Sequence, residues 1–223
     1  MKVTRILLTS LMVVAIAGAA HAQGSVRLSW NNCDPQISDM TTNAPVNYLQ
    51  VVSALGLSAP NIGYDVSIVI GPNVPDAWRF DDLGCETGSQ IFVDPSALSK
   101  GCPVLKGASS LPVSNVNYDG ATKNESIRMV MAYDPFSPLP GTRYTLFQIT
   151  YKMQFAVVGP SPDIDHCGHE EAPLFFDITG KINQQDGNAA PLGNTPGDVR
   201  VTANGGPVPA QVSTWGRLKG LYR

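Results

Sequence analysis

Arg143-Tyr-Thr-Leu-Phe-Gln-Ile-Thr-Tyr-Lys152 opens the longest β signal in the chain, which runs from Arg143 to Val158. Tyr144, Leu146, Gln148 and Thr150 fall on one side of an extended backbone, and Thr145, Phe147, Ile149 and Tyr151 on the other. A two-residue period rich in aromatic and β-branched side chains reads as a strand. Apolar groups on both sides imply that both faces are covered, so the segment is expected at the centre of a sheet.

Working outward, Val113–Tyr118 and Ile127–Tyr133 flank the turn Asp119-Gly120 and read as paired strands. Ile62–Ile70 places Tyr64, Val66, Ile68 and Ile70 on one face, Tyr48–Leu55 precedes it, and Ser25–Trp30 alternates Val26, Leu28 and Trp30 inward. Pro72 and Pro75 break the pattern before Ala77–Phe80, and Asp81–Gly107 is irregular apart from Ile91–Val93, which Asp94-Pro95 ends. Leu174–Ile182 and Val199–Ala203 complete the set. About nine short strands without a convincing helix between them predict an all-β chain, a single antiparallel β-sandwich over residues 24–204. The Pro/Gly stretch 205–212 reads as a linker. In the tail 213–223, Trp215, Leu218 and Tyr222 recur at helical spacing behind Ser213 and Thr214, so the tail is expected to turn helical when docked.

Residues 1–22 have the three-part pattern of a secretory signal peptide: basic Lys2 and Arg5, the apolar run Ile6–Gly18, and small-x-small at Ala20-His21-Ala22. The run is about a dozen residues against the roughly 20 that a membrane-spanning helix needs. Cleavage after Ala22 takes two basic residues away, leaving 13 against 18 acidic ones, a net charge of −5. That balance disfavours nucleic acid as a partner. Charged residues are only 15% of the chain, whereas Gly and Pro number 21 and 18, as suits a turn-rich exported sandwich without a second apolar span.

All four cysteines, Cys33, Cys85, Cys102 and Cys167, follow the signal, and an even count in an exported chain reads as disulfides. Of the three pairings, Cys85–Cys102 with Cys33–Cys167 is favoured, because the stretch between Cys85 and Cys102 is turn-rich and its ends can meet.

One cluster suggests chemistry: Asp163-Ile-Asp165-His166-Cys167-Gly-His169-Glu-Glu171. His166 and His169 suit zinc, and Asp163 and Asp165 suit calcium. His-x-x-His supplies two ligands where a closed zinc site takes four, so the favoured reading is a polar loop pinned by a disulfide and no cofactor. There is no Gly-x-Ser-x-Gly elbow and no His-Glu-x-x-His helix, leaving a small metal-dependent hydrolase as the least favoured reading. Trp78, Trp30 and Tyr118 are candidate platforms for a sugar ring, weighed against the commoner fate of such residues in a core.

Two stretches carry resemblances. Tyr144–Met153, Pro173–Ile182 and Gly197–Gly206 together resemble the second half of a cohesin-type sandwich. That resemblance implies a cohesin-like or Ig-like fold in a module that binds protein or carbohydrate, with no site residue to carry over. Thr214-Trp-Gly-Arg-Leu-Lys-Gly-Leu-Tyr-Arg223, with Trp78-Arg79-Phe80 shortly before Gly84-Cys85, resembles uncharacterised secreted bacterial proteins with a Trp-Gly-x-x-Lys-x-Leu-Tyr-Arg tail. It implies a bacterial exported protein.

The expectation is therefore a non-enzymatic exported module, structural or adhesive, that meets a protein or polysaccharide at the cell surface. The alternative is carbohydrate binding, assisted by calcium at Asp163 and Asp165.

Overall fold

The computed structural model describes residues 24–42, 47–57, 60–86, 91–92, 101–105, 110–152, 167, 172–193 and 199–205. These contain eleven strands: β1 Ser25–Trp30, β2 Asp39–Met40, β3 Asn47–Leu55, β4 Asn61–Gly71, β5 Ile91–Phe92, β6 Ser110–Asp119, β7 Asn124–Phe136, β8 Arg143–Lys152, β9 Leu174–Gln184, β10 Ala189–Pro191 and β11 Arg200–Ala203. Three short strands, β2, β5 and β10, carry no periodicity of their own and exist by pairing with longer neighbours.

One sheet runs β1-β3-β8-β5, and the other runs β2-β11-β9-β4-β7-β6 with β10 attached to β9. Every pairing is antiparallel except that of β2 with β11. β8 lies inside its sheet, between β3 and β5, as its two apolar faces predict. Residues 153–158 of that predicted strand lie outside the described residues, as do the signal segment 1–22 and the tail 213–223.

The two sheets meet through large side chains placed by strand alternation. Tyr64, Val66, Ile68 and Ile70 of β4 are all buried, as are Ile127, Met129, Met131 and Tyr133 of β7. Tyr64 stacks on Phe147 of the opposite sheet at 6.2 Å and donates its hydroxyl to the Leu146 carbonyl at 2.7 Å. Trp30 meets Phe176 edge-on at 5.1 Å. Each such fully buried apolar side chain stabilises the fold by about 1.5–3 kcal/mol.

Two expectations need correction. The sequence suggested no helical element between the strands, yet residues 76–78 form a single 3-10 turn after Pro75, with Ala77 and Trp78 buried. The disulfides join Cys33 to Cys102 and Cys85 to Cys167, not Cys85 to Cys102. Loop closure depends only weakly on length, so the shorter loop has little advantage. Position in the fold decides instead. Gly101 lies beside Asn32, bringing Cys102 under the turn after β1, where the first disulfide packs with Val51 and Leu49. Cys85 is held on the far side of the 3-10 turn by its N–H bond to the Asp76 carbonyl.

Candidate functional site

β6 is the outermost strand of the larger sheet and pairs with β7 along its whole length. Among the described residues no strand pairs with its other edge. Leu111 is 74% exposed and Val113 62% exposed, on the outer face, where they lie opposite Ala132 and Val130 of β7. Long edges with unpaired backbone groups recruit further strands unless they are blunted by lysine, proline or a covering element. β6 carries neither Lys nor Arg, its one charge is Asp119 at the far end, and Pro112 alone interrupts its row of N–H donors.

Next to Asp119, at that same end of β6, Tyr118 turns inward and is capped by Arg79, whose guanidinium carbon stands 3.7 Å from the ring centroid. Arg79 is buried and held by three hydrogen bonds to carboxylates. Its Nε and one terminal nitrogen donate to both carboxylate oxygens of Asp81, at 2.8 and 2.6 Å, and its other nitrogen to Asp76. This fork-on-carboxylate geometry explains why Arg79 is held more firmly protonated than usual, with the Asp81 hydrogen bonds as the largest cause. With its donors committed inside the chain, the group is a clamp on residues 76–81. Gly84 permits the clamp, because a Cβ there would strike the Arg79 backbone.

Glu125, at the start of β7, lies beneath that clamp and is fully buried. Its Oε1 accepts the Phe80 N–H at 2.8 Å and the Asp81 N–H at 3.3 Å, while Oε2 is buried without a hydrogen-bond partner. Burial is the main cause pushing its carboxyl up to about 7. Burial likewise pushes up the phenols of Tyr64, Tyr133 and Tyr151. Sequence reasoning passed over both Arg79 and Glu125. Their signals were present: Arg79 has aspartates three before and two after it, and Glu125 shares the inward phase of Ile127, Met129 and Met131.

The aromatic candidates separate. Trp30 and Trp78 are fully buried, each against Tyr151 and Phe176, so neither presents a ring face to a sugar. The larger apolar side chain gains more from the core than from solvent; strand phase directs the Trp30 ring inward, and the 3-10 turn after Pro75 does so for Trp78. Tyr118 is half-buried under Arg79. Asp163, Asp165, His166 and His169 lie outside the described residues; Cys167 is described and disulfide-bonded, so it is no zinc ligand. Among the described residues no three metal-ligating side chains converge, and no helix is long and apolar enough to cross a membrane.

No family model and no curated protein matches the chain. Among solved structures, a cohesin module from a Clostridium perfringens family 33 glycoside hydrolase is 10% identical, with 82% of this chain and 98% of that one covered and a TM-score of 0.40. The second type II cohesin module of the Acetivibrio cellulolyticus ScaA scaffoldin is 12% identical over 76% of this chain and 89% of that one, with a TM-score of 0.41. BcpA, the major pilin subunit of Bacillus cereus, is 9% identical over 81% of this chain and 39% of that one, at 0.35. The architecture accordingly rests on the strand pairing itself: a two-sheet, disulfide-bonded β-sandwich.

Proposed function

We propose that the chain is an exported, non-enzymatic binding module that recognises a polypeptide through the β6 edge and the outer face beside it. The observation that carries this reading is the ten-residue strand Ser110–Asp119, whose other edge pairs with no strand among the described residues and which presents Leu111 and Val113 to solvent. An extended partner strand would take main-chain hydrogen bonds from the edge and lay alternate side chains on the two apolar residues. Two disulfides suit work in an oxidising compartment, which fits the signal pattern of residues 1–22.

Recognition by sugar stacking has less support, because two of its three candidate rings are in the core. The test compares the oxidised chain with Leu111→Lys and Val113→Lys variants for saturable binding to proteins from the surface of the exporting cell. Cross-links mapped to β6 in the wild type, with retention lost in both variants, are expected. Equal retention by wild type and variants, or retention only on polysaccharide, overturns the proposal.

A further inference from the structure

We propose that the Glu125 carboxyl is a proton-operated latch, holding residues 79–81 against the β6–β7 hairpin when neutral and loosening them when ionised. The inference is independent of what binds at β6.

The latch is built at a junction of three elements. Glu125 is the second residue of β7 and lies opposite Tyr118 of β6 and Ile70 of β4. One of its oxygens accepts two consecutive backbone N–H groups from the segment that follows the 3-10 turn, and the other is sealed without a partner. A carboxylate there is fully buried with donors on one oxygen only, whereas a neutral carboxyl needs far less solvation. The groups acting on it come from two sides. Asp81 and Arg79 face it from the 72–86 segment, and Tyr151 of β8 feels its charge together with that of Glu86. Burial opposes ionisation most and the Asp81 carboxylate adds to it, while the Phe80 and Asp81 N–H groups favour the carboxylate without offsetting burial. Arg79 favours ionisation, but that guanidinium is already divided between Asp76, Asp81 and the Tyr118 ring.

The sign of the effect follows from the direction of the shift. Burial raises the carboxyl from an ordinary 4.5 to about 7 in the folded chain. The folded state therefore binds this proton more tightly than the unfolded state does. Its stabilising contribution is complete below the unfolded value and is lost as pH rises through the folded one. Of the contacts that hold the segment, the Val74 N–H bond to the Lys123 carbonyl and the packing of Trp78 on Tyr151 and Phe176 do not use the Glu125 carboxyl as a partner. The loosening is thus confined to residues 79–81 and carries Arg79 with it, altering the cap on Tyr118 at the end of the open edge.

Amide hydrogen exchange on the oxidised full chain tests the latch. Between about pH 5.5 and pH 8 the protection factors of the Phe80 and Asp81 amides should fall by about tenfold or more in the wild type, and stay level in Glu125→Gln, which keeps the acceptor oxygen but cannot ionise. Parallel behaviour of the two proteins overturns the proposal. Should the variant fail to fold, the Glu125 carboxyl carbon is titrated by NMR in the wild type. A midpoint near neutrality supports the latch, and one in the ordinary carboxylate range overturns it.

Discussion

Trp30 donates its indole N–H to the Thr202 carbonyl at 2.8 Å, joining the first strand of one sheet to the last strand of the other across 172 positions of sequence. Both partners are buried. The bond lets a large aromatic ring sit in the core without an orphaned donor. It also closes the sandwich at the end where β1 and β11 approach.

Trp30→Phe keeps an aromatic ring against Tyr151 and Phe176 but removes the donor and part of the volume. It is expected to destabilise the fold by about 1–3 kcal/mol, read as a lower urea midpoint with an unchanged slope. A midpoint shift no larger than that of an exposed substitution would show that the bond contributes nothing.

The disulfide pairing is directly measurable. Proteolysis of the unreduced chain should release Cys33 linked to Cys102 and Cys85 linked to Cys167. A peptide joining Cys85 to Cys102 would contradict the fold. Replacing Cys33 and Cys102 together by Ala opens a loop spanning 69 positions and should lower stability by about 2–5 kcal/mol.

Asp65 predicts an acid limb in the stability profile. Arg128 donates to both of its oxygens at 2.8 and 2.7 Å, with Lys181 at 3.4 Å, and the Arg128 hydrogen bonds are the main cause holding the Asp65 carboxyl below the ordinary range. A lowered folded-state value means stability present above the unfolded value and lost as pH falls through the folded one. Asp65→Asn should therefore lower the melting temperature at neutral pH and flatten its decline in acid. Arg128 is largely exposed, so solvent screens the pair and the effect is expected to be small.

Gly63 sits where the register between β4 and β7 shifts, and a Cβ there would strike the Met131 carbonyl oxygen. Backbone on both sides leaves no flexible atom to give way. Gly63→Ala should destabilise by about 1–3 kcal/mol or more in denaturant titration. An Ala variant as stable as the wild type would mean that the two strands can separate at the bulge without loss.

Much of the fold was legible before any coordinates. Tyr64, Val66, Ile68 and Ile70 alternate in sequence and are buried together in β4, and the doubly apolar Arg143–Lys152 lies inside its sheet. The candidate site was not legible in the same way. Leu111 falls just before the predicted start of its strand at Val113, and nothing in Leu111-Pro-Val113 says that this strand is outermost among the described ones. Trp30 and Trp78 were candidates for a solvent-facing ring against the commoner fate of a core, because a ring's chemistry suits both and only its neighbours decide. Glu125 was hidden by its charge, since a carboxylate is expected outside, while its phase in β7 points it inward.

By itself, the order of residues determined that this chain forms strands and which side of each long strand is oily, because alternation is a local property of two-residue period. The tertiary structure alone decided that Cys33 meets Cys102, that Trp30 meets Thr202, and that β6 is left at an edge. Those relations depend on the order of strands within each sheet and on which sheet each strand joins. Short-range pattern carries almost no information about contacts between residues so far apart along the chain.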